Sequence, residues 1–350
     1  MIDLVGFLIS WLTFLGIYGI LAISLNFESG TSGVTNFGKA FFYGLGAYIG
    51  ASLTVYLFLL LNNIDVSKVS PFDVEGIVYL GQFATKNPLL NIGLFILSLL
   101  LAFIVAGIVG YLLSYPIIRV GPAFVGFTLL STGELFRIFV LHYKPLGESK
   151  GIMSIPHPFA WIPNPTVRTA LYLAVVLGFL ALAYFVFNRL YNSPLGRTLR
   201  AVRDDEVAAL CLGKHVPKLK ATVLFIGSGF AGIAGVLLAF YLGSISPTYD
   251  MIGPPVTFNV WAMIILGGMG NLTGSILGAI IFTFLDRFLI FVTPNLGITV
   301  FSPDYIRGFL VGFLIVAVLL FRPQGILKEG KIETPAWKVY EEDVKGEKSG

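Results

Sequence analysis

The sequence predicts an all-α protein: a polytopic bundle of about nine transmembrane helices, within a range of eight to ten, that includes glycine-broken segments. Hydrophobic residues make up 56% of the 350-residue chain and charged residues only 12%, whereas an ordinary soluble domain carries about a quarter charged residues. The apolar runs are continuous over roughly 20 residues, which is the length of a spanning helix, and they lack the alternation of barrel strands. The bilayer is therefore the expected solvent.

Nine apolar stretches account for the predicted number of spans. They cover residues 4–25, 40–61, 89–113, 121–141, 168–188, 219–242, 256–270, 272–291 and 305–321. The stretch at 256–270 is short for a span. Residues 62–88 are predicted as a long mixed loop, and the prolines between 142 and 166 exclude a helix there. The chain is thus divided into a transmembrane domain at 1–322 and a charged tail at 323–350.

The distribution of lysine and arginine predicts the orientation of the chain. If the basic loop at 189–220 lies inside, the inner segments together hold fifteen Lys and Arg residues and the outer segments hold five. An excess of this kind marks the cytoplasmic side. The C-terminus is then predicted to be cytoplasmic. Nine spans place the N-terminus outside, and an even number would reverse it.

The cytoplasmic loop at 189–220 carries the most informative pattern. Pro194 and Gly196 interrupt the preceding helix. Three arginines then recur at every third position and line one face of a new helix. These arginines are Arg197, Arg200 and Arg203.

A second, shorter helix is predicted directly after the arginines. One of two adjacent aspartates suits its N-cap, the acidic cluster suits the positive end of its dipole, and a glycine suits the position after its last residue. Its residues include Asp204, Asp205, Glu206, Ala208, Ala209 and Gly213. Such a helix, held by two spans, suits docking into a groove on a cytoplasmic partner. The alternative is an amphipathic surface helix with no partner.

Several stretches resemble a known family. Residues 206–213, Glu-Val-Ala-Ala-Leu-Cys-Leu-Gly, resemble the loop of ABC importer permeases that sits in the cleft of the ATPase subunit. The longer stretch at 193–213 is similar to the LivM-type permeases of branched-chain amino acid importers. Residues 38–48, 128–137, 262–278 and 321–327 resemble further stretches of that family in the same order. The outer loops at 62–90 and 142–166 depart from its pattern.

The resemblance implies a permease subunit that carries leucine, isoleucine and valine into the cell by alternating access, driven by a separate ATPase. It implies a multi-pass protein of a prokaryotic cell membrane, in contact with lipid. The implied partners are cytoplasmic ATP-binding subunits, a second homologous permease subunit and an extracellular substrate-binding protein. The implied coupling residues run from Gly196 to Gly213 and include those of the two helices named above. Urea, short amides or other amino acids are alternative substrates, and an ion-coupled secondary transporter is a further alternative.

Two glycine-rich stretches, 28–50 and 266–278, are candidates for the substrate path because glycine-broken segments in corresponding halves mark such paths in secondary transporters. The candidate residues are Gly33, Thr35, Asn36, Gly38, Glu134, Gly267, Gly268 and Gly270. The alternative is close helix packing, which small residues permit. The face of Ser228, Ala231, Gly232, Gly235 and Ala239 is better explained by packing alone.

Charged residues inside spans each require a reason, because they are costly in a bilayer. Glu134 and Arg137 are predicted to pair on one helix face. Asp286 and Arg287 are adjacent and are predicted to point to different faces, of which that of Asp286 could be the bundle interior. Glu28 and Lys39 are predicted to lie near the inner surface with no special role.

The sequence gives no reason to expect an enzyme, a cofactor, a metal site or nucleic-acid binding. Its single cysteine and three histidines are scattered, and no catalytic motif is present. Residues 33–40 nearly match a phosphate-binding loop, but Ala40 stands where that motif needs Ser or Thr for magnesium. The basic pI reflects the inner loops.

Overall fold

The computed structural model describes residues 4–62, 72, 74–118, 122–292, 303–322 and 324–330. Thirteen α-helices are found in these ranges: α1 Leu4–Leu25, α2 Lys39–Leu61, α3 Val74–Lys86, α4 Pro88–Ile118, α5 Pro122–His142, α6 Pro165–Asn192, α7 Pro194–Asp204, α8 Glu206–Cys211, α9 Val216–Leu242, α10 Tyr249–Ile252, α11 Pro254–Gly267, α12 Leu272–Val292 and α13 Pro303–Phe321. A π-helical turn, Asn26–Thr31, continues α1, and a 3₁₀ turn covers Lys144–Leu146.

The all-α membrane fold predicted from the sequence is confirmed. Seven of the described helices are long and apolar enough to cross a membrane: α1 with its π-helical turn, α2, α4, α5, α6, α9 and α12. The predicted number of nine spans is not confirmed. The stretch predicted at 256–270 is the 14-residue α11, which covers about 21 Å at 1.5 Å per residue and falls short of a hydrocarbon core of about 30 Å.

The structure contains a helix between the second and third apolar stretches, where the sequence predicted none. That region was expected to be a loop, but α3 occupies Val74–Lys86 and Pro88 begins α4 immediately afterwards. An apolar face on α3 explains the difference, since Leu80 and Ala84 are fully buried. The charged and proline-containing residues before α3 obscure this short amphipathic pattern in the sequence.

Helix α9 forms the centre of the bundle and packs against α2 and α4. A Cβ added to Gly232 would meet the carbonyl oxygen of Ala102 on α4, and one added to Gly235 would overlap the carbonyl oxygen of Tyr43 on α2. Gly46 of α2 faces Gly232 in the same way. Close backbone contact through small residues is the usual mode of helix association in lipid, so the packing predicted for this face is confirmed.

Two irregular segments, 143–164 and 243–248, pack against each other at the far end of α9. Ile152 and Ile245 exchange both backbone hydrogen bonds at 2.8 Å. Backbone groups outside helices need such partners when water is excluded. The second segment then leads through α10 into α11, and Ile252 of α10 lies beside Gly44 of α2.

Candidate coupling site

The two predicted cytoplasmic helices are present as α7 and α8. Helix α7 begins at Pro194, and the hydroxyl of its N-cap, Ser193, accepts a hydrogen bond from the Gly196 amide. Asp205, the second of the two candidate aspartates, is the N-cap of α8 and accepts from the Ala208 amide at 3.0 Å. Gly213 follows α8 with φ +74°, a conformation that glycine adopts without strain.

Helix α8 is anchored on one side and apolar on the other. Ala209 is buried against Val202 and Val216, and the ammonium of Lys220 donates to the Glu206 carboxylate at 2.6 Å. Three large side chains face outwards with exposed fractions of 49–78%: Val207, Leu210 and Leu212. An exposed apolar group of this kind on a short helix is typical of an interaction surface.

The three arginines of α7 have three different environments. Arg197 is exposed, whereas Arg200 is only 8% exposed. Arg203 is partly buried, and its Nη1 donates to the carbonyl oxygen of Gly30 and to both carboxylate oxygens of Glu329, at 3.0 and 3.1 Å. Its Nε donates to Asp204 at 3.1 Å. The sequence pattern identified the arginines, but not the distant partners of Arg203.

The charge of Arg203 is reinforced by its neighbours. Burial alone would lower the pKa of its guanidinium, but hydrogen bonds and charge interactions, first with Glu329 and then with Asp204, outweigh that effect and raise the pKa above its ordinary value. Arg203 is therefore a permanent cation that joins α7 to the π-helical turn and to the segment after α13.

Both glycine-rich stretches contact each other beside Arg203. The side-chain oxygen of Asn26 accepts from the Gly270 amide at 2.8 Å, and its nitrogen donates to the carbonyl oxygen of Asn271 at 2.8 Å and to the hydroxyl of Ser275. Gly30 approaches Gly270 so closely that a Cβ on Gly30 would lie 2.6 Å from the Gly270 amide nitrogen. The two stretches thus touch at Gly30 and Gly270, and Asn26, two residues before the first stretch, bonds to the second.

Positive backbone torsions make glycine necessary at the turn between α11 and α12. Gly268 has φ +119° and Gly270 has φ +83°. The turn is also covered by the segment after α13, because Ile326 and Leu327 donate backbone hydrogen bonds at 3.0 Å to the carbonyl oxygens of Leu266 and Gly267.

We call this assembly the coupling junction. It consists of Arg203, the residues of the π-helical turn that it reaches, the α11–α12 turn and residues 324–330. Among the sequence-predicted site residues, Gly33, Gly267, Gly268, Gly270 and Arg203 belong to it. Gly33 has φ +73°, and a Cβ there would lie 3.1 Å from Cγ of Arg203.

A buried ion pair supports the junction from within the bundle. Glu28 and Lys39 are both fully buried, with their charged atoms 3.0 Å apart. Asn36 donates to the second oxygen of Glu28 at 2.9 Å and accepts from the Gly38 amide at 2.8 Å, and Lys39 also donates to the carbonyl oxygen of Gly227. The prediction that Glu28 and Lys39 have no special role was wrong, because the chain between α1 and α2 folds inwards and buries both side chains as an ion pair. Their predicted position near the inner surface of the membrane stays a prediction.

Thr35 and Glu134 differ from the other candidates for the path. Thr35 is half-buried beside the ion-pair network. Glu134 binds Arg137 through three hydrogen bonds of 2.6–3.0 Å, which confirms the predicted pair. Arg137 also donates to the carbonyl oxygen of Pro247, so this pair contacts the irregular segment after α9 and not the junction.

A cavity of about 190 Å³ lies between α1, α9, α11 and α12. Its walls are mainly apolar, and one ion pair lines it: Arg287 contacts Asp286 at 3.0 Å and also lies 3.5 Å above the ring of Phe14. The prediction that Asp286 and Arg287 point to different faces was wrong, because the long Arg287 side chain reaches the Asp286 carboxylate and both residues line this cavity. An apolar cavity with one carboxylate and one guanidinium suits a small zwitterion.

The described residues offer no group of three His, Cys, Asp or Glu side chains that could hold a metal ion. The site therefore consists of ion pairs, backbone groups and apolar surface. Arg203 connects a surface helix to two glycine turns that belong to the bundle, so a displacement of that helix reaches both turns.

Comparison with known proteins identifies the family to which the chain belongs. The family model described as "Branched-chain amino acid transport system / permease component" matches residues 7–319. The probable branched-chain amino acid transport permease protein LivM of Methanocaldococcus jannaschii is 31% identical to the chain, over 99% of both. LivM of Escherichia coli is 29% identical over 95% of the chain and 72% of its own length, and LivH of Escherichia coli is 23% identical over 90% and 92%. No solved structure matches.

Proposed function

The chain belongs to the family of branched-chain amino acid transport permeases, and on that premise we propose that it carries leucine, isoleucine and valine across the cell membrane as the LivM-type subunit of an ABC importer. The observation that best supports an importer subunit is the double attachment of Arg203. This side chain links the cytoplasmic α7 to Gly30 in the continuation of α1 and to Glu329 beside the α11–α12 turn.

The proposed partners follow from the family and from the exposed surface of α8. ATP-binding subunits would cover Val207, Leu210 and Leu212, whose apolar side chains are otherwise exposed. A second homologous permease and an extracellular substrate-binding protein would complete the importer. The similarity of the chain to both LivM and LivH proteins supports a pair of related permeases.

In the proposed mechanism, closure of the ATPase pair moves α8, and α7 moves with it because the two helices share a single intervening residue, Asp205. Arg203 then transmits this displacement to the π-helical turn and, through Glu329, to the α11–α12 turn. Helix α11 connects that turn to the cavity, since Asn259 and Met263 of α11 line it. Movement of the junction would thereby change access to the cavity.

The cavity has the chemistry that a branched-chain amino acid requires. Asp286 is complementary to the substrate ammonium and Arg287 to its carboxylate, and the apolar walls suit a branched side chain. Substrate binding would exchange the internal ion pair for two pairs with the zwitterion. Movement of the α11–α12 glycine turn would control entry to this cavity, in agreement with the path predicted from Gly267, Gly268 and Gly270.

The charges in the spans weigh against an ion-coupled transporter. Such a protein more often shows ionisable groups deep in its bundle that bind the coupling ion. The acidic side chains in the seven long apolar helices are Glu28, Glu134 and Asp286, and each is ion-paired within the described part of the chain.

The proposal is tested by reconstituting the chain with its ATPase, partner permease and binding protein in proteoliposomes. We expect uptake of labelled leucine that requires ATP, is inhibited by isoleucine and valine, and is not inhibited by urea or acetamide. Replacing Gly213 by valine should abolish uptake while ATP hydrolysis continues, because a β-branched residue disfavours φ +74°. Uptake that follows a proton or sodium gradient without ATP, or that prefers urea, would refute the proposal.

A further inference from the structure

A second cavity, of about 490 Å³, lies at the basic end of the bundle between α6, α7 and the start of α12. Polar and aromatic groups line it. They include Asn188, Tyr191, Arg197, Arg200, Asn271 and Thr273. No acidic side chain lines it in the part of the chain that the structure describes. The cavity therefore combines two cations with amide and hydroxyl donors.

Arg200 is a buried cation with unused hydrogen-bonding capacity. Its side chain is held by Tyr191, whose carbonyl oxygen accepts from Nη2 at 3.3 Å and whose ring centroid lies 4.3 Å from the guanidinium carbon. Its Nε is buried and has no hydrogen-bond partner among the described residues. A buried charge that lacks a counter-ion is costly, and a guanidinium fork matches the oxygens of a phosphate.

The three acidic residues that follow Arg200 in the sequence already have other partners. Asp204 contacts Arg203, Asp205 caps α8 by accepting from the Ala208 amide, and Glu206 contacts Lys220. Glu329, from the segment after α13, also contacts Arg203. Neither Arg197 nor Arg200 forms an ion pair within the described residues. Their charge is thus available to a ligand, and Arg197 adds an exposed second cation three residues away on the same helix.

The position of the cavity relative to the membrane indicates where an anion would come from. Helix α6 has 28 residues and is about 42 Å long at 1.5 Å per residue, which exceeds a hydrocarbon core of about 30 Å. Only 22% of the most apolar part of α6 is buried inside the chain, so α6 lies at the periphery of the bundle and faces lipid. Its last turn, with Asn188 and Tyr191, therefore lies at the level of the lipid headgroups.

We propose that this cavity binds a phosphate group, and specifically the headgroup phosphate of an anionic lipid. Arg200 and Arg197 would contact the phosphate oxygens, and Asn271 and Thr273 would add neutral donors. Basic sites between spans at the cytoplasmic surface are suited to such headgroups. The bound lipid would join α6, α7 and α12 beside the coupling junction. This inference concerns a ligand other than the transported substrate.

The test uses the purified full-length chain in detergent, and thermal unfolding is followed while lipid is titrated. Phosphatidylglycerol is compared with phosphatidylcholine, and inorganic phosphate is titrated separately. Ligands that bind only the folded state raise its unfolding temperature with concentration. We expect a preference for phosphatidylglycerol whose apparent Kd rises about tenfold in Arg200→Gln, the loss expected for a charged hydrogen bond.

Arg197→Gln provides a second variant, because this exposed residue can be changed without emptying a buried position. The matched control is Arg189→Gln, an exposed arginine in the last turn of α6 that does not line the cavity. A selective loss in the two α7 variants supports the lipid site. Stabilisation by inorganic phosphate with the same arginine dependence, and no lipid preference, would leave a phosphate site but overturn the lipid as its source.

Equal weakening in Arg189→Gln, or no stabilisation by either anion, would overturn the proposal. The assay needs no ATPase and no amino acid. Its failure is therefore distinguishable from failure of the proposed function, which is measured as leucine uptake by the complete importer.

Discussion

Glycine has different functions in the α9 core and in the coupling junction. In the core, Gly46 and Gly235 lie in helices and allow the backbones of α2 and α9 to touch. In the junction, Gly33 and Gly270 have positive φ values and stand beside Arg203 and Glu329. The comparison teaches that a glycine-rich sequence does not by itself distinguish a packing surface from a turn. The neighbouring polar residues and the backbone torsions make that distinction.

The largest expected effect comes from the ion pair that supports the junction. In Lys39→Met, Glu28 stays fully buried without its cation, and breaking a buried pair in this way costs about 3–5 kcal/mol. We expect the variant to lose most of its folded yield. The double variant Glu28→Gln/Lys39→Met should recover part of the stability because no uncompensated charge remains. Thermal unfolding of both in the same detergent checks this, and equal stabilities of the single and double variants would contradict it.

The packing role of glycine in the α9 core is tested by adding one methyl group. In Gly235→Ala the new Cβ would overlap the carbonyl oxygen of Tyr43, and overpacking of this kind costs about 1–3 kcal/mol. The matched control is Gly178→Ala in α6, where a Cβ meets nothing within 4 Å. We expect a lower unfolding temperature for the first variant and little change for the second. A similar response of both would remove the packing role assigned to α9.

The sequence was sufficient for the helices whose periodicity or length is strong. The long spans and the N-cap of α8 could be predicted because continuous apolar runs and an aspartate before a short apolar helix have local physical causes. The partners of Arg203 could not be predicted, since Gly30 and Glu329 lie 173 and 126 residues away in the chain. Spacing along one helix carries no information about such contacts.

The pairing of Glu28 with Lys39 could have been predicted from the free-energy cost of placing either charge in a bilayer. Both residues border apolar runs, and a charge that enters a bilayer needs a partner. The sequence contains an acid and a base 11 positions apart, but no residue pattern in it predicts the π-helical turn that brings them together. Asn26, which bonds to the second glycine-rich stretch, likewise looks like an ordinary polar residue at the end of a span.

The role of the coupling junction is tested by transport activity more than by stability. Arg203→Gln removes the cation that holds Gly30 and Glu329 together. We expect leucine uptake by the reconstituted importer to fall about tenfold, the equivalent of about 1.4 kcal/mol, while ATP hydrolysis continues. Arg189→Gln is the control on the same side of the bundle. Exchange of the charges, Arg203→Glu with Glu329→Arg, should restore part of the uptake, and proportional loss of uptake and hydrolysis would instead indicate a purely structural role.

The last expected effect is absent at neutral pH and appears only in acid, and it concerns a ring nitrogen that, unlike the guanidinium of Arg203, is buried without a hydrogen-bond partner among the described residues. His157 lies in the irregular segment before α6, and its Nε2 is buried with no partner among the described residues. Burial, and then the charge of Arg168, lower the pKa of this imidazole from 6.5 to about 4. Between pH 6.5 and 4 the imidazole is protonated in the unfolded chain but stays neutral in the folded chain. The contribution of His157 to the free energy of unfolding should therefore be constant above pH 6.5 and fall as the pH drops towards 4. In His157→Asn, unfolding temperatures measured across this range should lose that part of the pH dependence, and a slope identical to that of the wild type would show that other groups cause it.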